Sequence, residues 1–194
     1  MWEAVHEAGG KTYSAGVRVG HYAGTKSEGG NFEYIGDLQD MLVCHGPPSR
    51  DEAARWHSKG QKIACYANPQ SGKEEPEKYR RNFGVMLWRS NYDGAMNFAY
   101  MWLPHSILCW NDYAGPVGGY RAYNMVYPTD DGVIDTVQWE GYREGIDDIR
   151  YATTLMQAVA EAKNSKNKAS TALAAEAEKY IEEVDLTGDL DAVR

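Results

Sequence analysis

Several neutral aromatic and hydrogen-bonding side chains stand where short apolar runs of the chain come to an end. His45 closes DMLVCHG (40–46), Tyr66 and Asn68 close QKIACYANP (61–69), and Tyr100 and Trp102 close GAMNFAYMW (94–102). Trp110 and Asn111 follow in the next loop. A sugar subsite needs this kind of chemistry: a ring face to stack on, with imidazole and amide groups to exchange hydrogen bonds with hydroxyls. The plainer reading of each residue is structural. Tyr66 and Tyr100 can fill a core, and a lone His45 is more often a hydrogen-bonded framework residue than a ligand-binding one.

Hydrolysis of a glycosidic bond asks for more, namely two carboxylates roughly 5–10 Å apart across the bond. Glu28, in the polar stretch RVGHYAGTKSEGGN (18–31) with His21 and Tyr22, and Asp112 are the acids in suitable loops. Neither belongs to a recognisable motif. Glu140, Arg143, Asp147, Asp148 and Arg150 form a denser charged set, but they share one helical stretch. Arg143 and Asp147 are four residues apart and are expected to pair and tie that helix to its neighbours.

Metal and cofactor chemistry is not indicated. His21, His45, His57 and His105 lack HxH or HExxH spacing. Cys44, Cys65 and Cys109 make neither a CxxC pair nor a disulfide framework, and Cys44 and Cys65 read as small buried apolar residues within strands. No GxGxxG or phosphate-binding loop is present. The net charge of −8 argues against nucleic-acid binding, which draws on a basic patch. The apolar runs are too short to span a membrane. The first residues, MWEAVHEAGGK, lack the basic and apolar segments of a secretory leader. These features describe a soluble chain whose compartment the sequence leaves open.

The elements that must position the candidate residues alternate. A helix is expected over 2–8, ended by Gly9-Gly10, then a strand over 11–17 and a short helix within NFEYIGDL (31–38). Strand 40–46 leads to a helix over 49–60 with Ser49 as its cap and Gly60 as its stop. Strand 61–69, helix 76–92 and strand 94–102 follow. A long aromatic loop is expected from 103 to about 135, then a helix over 136–163 capped by Thr136. After a polar joint comes an amphipathic helix over 169–184. Short apolar strands alternating with helices imply α/β architecture with a parallel sheet. Residues 1–164 form the main unit and 165–194 a C-terminal helix and tail. A weak internal repeat aligns VHEAGGKTYSAG (5–16) with WHSKGQKIACYA (56–67), matching a His, a Gly and a Lys.

Two stretches carry a family resemblance. One runs Asn68-Pro69, Tyr79-Arg80, Trp88, Asp93-Gly94 and on to FAYMW; the other is YPTDDGVIDTVQWEGYREGIDDIRYATTL (127–155). Over roughly residues 60–160 the chain resembles the C-terminal part of the catalytic barrel of glycoside hydrolase family 123 and its relatives. The resemblance implies four parallel strands with helices, at 11–15, 41–44, 62–66 and 94–98, corresponding to strands five to eight of a (β/α)8 barrel. A full barrel takes about 250 residues against 194 here. The family's catalytic pair is an adjacent Asp-Glu at the end of strand four, which has no counterpart in this sequence.

Three readings follow. The chain is a non-catalytic half-barrel that contacts carbohydrate, a glycosidase complete only with other strands, or a self-sufficient hydrolase using Glu28 or Asp112. A half-barrel exposes two strand edges, which invite pairing. The expected partner is a second copy, giving a two-fold homodimer with eight strands; an N-terminal half on another polypeptide is the alternative.

Overall fold

A computed structural model describes residues 1–18, 36–102, 110–111 and 123–191. Glu28 and Asp112 lie outside the described residues, as do His21, Tyr22, His105 and Cys109.

Helix α1 (Trp2–Glu7) leads to strand β1 (Tyr13–Arg18), and β2 (Met41–His45) follows a 3-10 turn at Gly36–Leu38. Then come α2 (Arg50–His57), β3 (Lys62–Tyr66), α3 (Pro76–Phe83), α4 (Val85–Arg89) and β4 (Gly94–Met96). A short antiparallel pair, β5 (Val126–Pro128) and β6 (Val133–Asp135), precedes the long α5 (Val137–Lys163) and α6 (Lys168–Glu183). Strands β1–β4 form one parallel sheet in sequence order, with Tyr13 opposite Met41, Met41 opposite Lys62, and Ala64 opposite Gly94. The described strands form an open sheet and do not close into a barrel.

Three sequence expectations are corrected. Strand β4 ends at Met96 rather than at 102: the Ala67 N–H makes the last ladder bond, to the Met96 carbonyl at 3.2 Å, and shares it with Asn97 Oδ1 at 3.1 Å, and at Ala67 the neighbouring chain turns away with φ of +52°. The helix expected over 76–92 breaks at Gly84, whose φ of −101° and ψ of −122° leave the helical region. The loop expected over 103–135 contains the β5–β6 hairpin. Its turn, Thr129 to Gly132, is closed by the Thr129 N–H donating to the Gly132 carbonyl. Asp131-Gly132 between Val126-Tyr127 and Val133-Ile134 was a legible hairpin signal.

Strand alternation divides the sheet residues between two faces. Leu42, Cys44, Ile63 and Cys65 pack with Trp56 of α2, Tyr79 and Phe83 of α3, Leu87 of α4, and Met125 and Val126. Trp56 is fully buried and its indole N–H donates to Glu52 at 3.0 Å, so the ring fills the core without stranding its polar atom. Both thiols are free, and burial pushes Cys44 up to about 11 and Cys65 to about 12, which makes them apolar filler rather than nucleophiles. The opposite face carries Tyr13, Met41, Val43, His45, Lys62, Ala64, Tyr66 and Met96.

Helix α6 is fastened to the sheet-bearing unit by arginines. Arg89 donates to the carbonyls of Ile181 and Val184, satisfying the helix C-terminus, and Arg50 pairs with Glu182. The expected Arg143–Asp147 pair forms at 3.2 Å, but it is exposed and stays on α5 with Glu140 and Glu144. The tie to the neighbouring helix falls to Asp148, which binds Arg80 of α3.

At the N-terminal edge of the sheet, Asp40 accepts the Thr12 N–H at 2.7 Å, Lys11 Nζ at 2.9 Å and His6 Nε2 at 2.8 Å. The Thr12 amide first, then Lys11 and His6, hold its carboxyl well below the usual carboxylate range. A depressed pKa gives stability that is present above the unfolded value of about 3.9 and is lost as pH falls through the folded value. Asp40→Asn is therefore expected to cost about 1 kcal/mol at neutral pH, after allowance for solvent screening. It is also expected to flatten the loss of stability below about pH 4. Urea midpoints from pH 3 to 7 check both; parallel curves for the two proteins would refute the assignment.

Candidate functional site

The C-terminal ends of β2, β3 and β4 form one rim. His45 and Tyr66 are laterally paired residues on the sheet face away from the helices, and their rings meet edge to face with centroids 4.4 Å apart. Beyond Tyr66 the chain turns sharply through Ala67, with φ of +52°, and Asn68-Pro69. Gln70 then reaches back. Its Nε2 donates to the Tyr66 hydroxyl at 3.4 Å, while its Oε1 accepts the Phe98 N–H at 3.1 Å. Ser71 Oγ donates to the Phe98 carbonyl, so the loops after β3 and β4 are laced together.

Phe98 opens an aromatic group. Its ring meets Trp102 at 5.5 Å and Tyr123 at 5.7 Å, and Trp102 and Tyr123 lie 5.4 Å apart. Behind them Asn124 is 1% exposed; its Oδ1 accepts the Trp102 N–H at 2.9 Å and its carbonyl accepts Gln138 Nε2 of α5. This polar support fixes the backbone from which Trp102 projects.

The residues singled out from sequence do not all meet. His45, Tyr66 and Trp102 belong to one shell joined through Gln70 and Phe98. Asn68 is drawn toward the helix layer, where its Oδ1 accepts Asn82 Nδ2 at 3.3 Å. Tyr100, half exposed, packs edge-on against Trp139 of α5 at 5.5 Å. Trp110, 57% exposed, stacks on Tyr127 at 5.3 Å and donates to the Pro128 carbonyl, so it belongs to the hairpin. Phe98, Gln70, Tyr123 and Asn124 complete the shell and were missed from sequence. Phe98 was read as part of a strand, and its role follows only once β4 stops at Met96.

The side chains of this shell are imidazole, phenol, indole, phenyl and carboxamide groups. They stack and exchange hydrogen bonds but supply no carboxylate. Among the described residues no group of three His, Cys, Asp or Glu is placed to hold a metal ion. No helix among them is long and apolar enough to cross a membrane. The chain matches no protein-family model and no curated protein.

Proposed function

We propose that this chain is a carbohydrate-contacting half of a glycoside-hydrolase-type (β/α) barrel, without catalytic activity of its own, which associates with a second copy to reach eight strands. The observation that carries the reading is the neutral aromatic and carboxamide rim at the C-terminal ends of the parallel strands, where (β/α) barrels hold their ligands. The family resemblance, resting on the quoted residues alone, points the same way. So does an open sheet whose outer edges at β1 and β4 have no strand partner among the described residues.

Titration with a panel of soluble oligosaccharides, followed by tryptophan fluorescence, tests the sugar contact. Saturable binding is expected for at least one glycan. Phe98→Ala is expected to weaken it about tenfold, the worth of one aromatic contact of roughly 1.4 kcal/mol. Absence of saturable binding to every glycan would remove the reading. Turnover of aryl-glycosides that is lost in Glu28→Gln or Asp112→Asn would replace it with the glycosidase reading. Light scattering tests association: twice 21.7 kDa is expected, and a well-folded monomer would transfer the missing strands to another polypeptide.

A further inference from the structure

The internal repeat seen in sequence recurs in three dimensions at atomic detail. Helix α1 ends at Gly9 with φ of +76°, and α2 ends at Gly60 with φ of +74°. The Gly9 N–H donates to the His6 carbonyl and that of Gly10 to the Val5 carbonyl; Gly60 and Gln61 repeat this on His57 and Trp56. His6 Nε2 then contacts Asp40 at 2.8 Å, and His57 Nε2 contacts Asp93 at 2.9 Å. Each aspartate accepts a backbone N–H from the strand beside its own, Asp40 from Thr12 and Asp93 from Ile63. Each also sits one residue before its strand, and the reciprocal bonds run from Asp40 N to Thr12 O and from Asp93 N to Ile63 O. The chain is thus two equivalent units, α1-β1-β2 and α2-β3-β4, each latched by a histidine and an aspartate.

Equivalent units join in equivalent ways. The junction between them is β2 to β3, where Met41 lies opposite Lys62, Val43 lies opposite Ala64, and the Lys62 N–H donates to the Asp40 carbonyl at 2.8 Å. The next junction would run from β4 to a β1. By the repeat, Gly94 replaces Met41, Asp93 replaces Asp40, and Lys11 replaces Lys62. We infer that β4 of one copy pairs in parallel with β1 of a second copy in a set register: Gly94 opposite the partner's Lys11 and Met96 opposite the partner's Tyr13. The inference rests on the self-association proposed above and adds its geometry. The residues brought together suit the role. Tyr13 is 67% exposed and Met96 40% exposed, large apolar groups on the same sheet face at its two opposite edges. In one copy they are separated by β2 and β3, about 14 Å across the sheet at roughly 4.8 Å per strand spacing, and they are also offset along it, since Tyr13 is level with Lys62 and Met96 with Tyr66. Two such junctions related by a two-fold axis give a closed ring of eight strands and leave no edge.

The test uses the full chain with Cys109→Ser, Tyr13→Cys and Met96→Cys, and a bis-thiosulfonate linker with a two-carbon spacer. Both positions are exposed within one copy, so a cooperative melt is expected and confirms folding. Rapid conversion to a covalent dimer is expected. The pair Tyr13→Cys with Gly94→Cys, shifted by two residues along the same face, is expected to react at least several-fold more slowly. A light-scattering dimer that links no faster at the 13/96 pair than at the 13/94 pair would overturn the register and leave self-association standing. A monomer at the same concentration would overturn both.

Discussion

Gly141→Ala is expected to destabilise this protein by about 3 kcal/mol, although alanine is the better helix former by nearly 1 kcal/mol. Gly141 sits in the first turns of α5, where the helix crosses the start of α3. A methyl group there would lie 2.1 Å from the Pro76 carbonyl oxygen and 2.6 Å from its carbon. These are backbone atoms, so no rotamer change relieves the clash and the helices must separate. Gly145 repeats the approach one turn later, against the Arg80 carbonyl at 2.8 Å. The two glycines, four residues apart, form a row that receives Pro76, Arg80 and Gly84, also spaced by four. Forcing this crossing apart would loosen Phe83 and Tyr142, whose rings meet at 5.1 Å. A fall in melting temperature of about 6–12 °C is expected for a chain of this size. Gly132→Ala is the control, since nothing lies within 4 Å of its added carbon, and it should change stability by less than about 0.5 kcal/mol. Equal effects of the two substitutions would show that close approach at Gly141 is not what the glycine provides.

Arg80→Ala is expected to cost about 3–5 kcal/mol. The close crossing of α3 and α5 lets Arg80 meet Asp148 with two bonds, Nε to Oδ2 at 2.7 Å and a terminal nitrogen to Oδ1 at 3.3 Å. Both side chains are about nine-tenths buried. The same guanidinium donates to the Leu190 carbonyl and to Asp191, so one residue clamps α3, α5 and the segment after α6. Its pKa is raised first by the bond to Asp148, against the opposing effect of burial. Truncation takes from a largely buried carboxylate the guanidinium that meets both of its oxygens, and this accounts for most of the expected cost. Replacing both partners, Arg80→Met with Asp148→Leu, removes the buried charge together with its partner and should recover most of the loss. Urea denaturation of the single and double variants measures the difference. A double variant as unstable as Arg80→Ala alone would mean that the contacts to Leu190 and Asp191 carry the effect.

The class of fold and the position of most elements were legible because they depend on local chemistry. Ser49 caps α2 through the Glu52 N–H and Thr136 caps α5 through the Trp139 N–H, as their sequence positions require. Glycine stops both α1 and α2, and the apolar runs MLVC and IACY supply the centres of β2 and β3. The faint repeat of a His, a Gly and a Lys was also local, and it proved to mark equivalent latches. What it could not name were the acceptors, because Asp40 and Asp93 come from strands some thirty residues farther along the chain.

The candidate site was legible only in part, for a related reason. His45 and Tyr66 were found because each closes an apolar run, and β2 and β3 end at those residues. β4 ends at Met96 instead of at 102, so Phe98 was missed while Tyr100 and Trp110 went to α5 and to the hairpin. Asn68 was turned toward the helices by Asn82. Local chemistry sets the alternation of strands and helices, their caps, and the His45 and Tyr66 that close β2 and β3. Long-range packing sets which candidate residues meet, where two helices approach closely enough to require glycine, and which carboxylate receives the buried arginine. Those outcomes depend on backbone distances between segments far apart in the chain, which no local pattern of residues encodes.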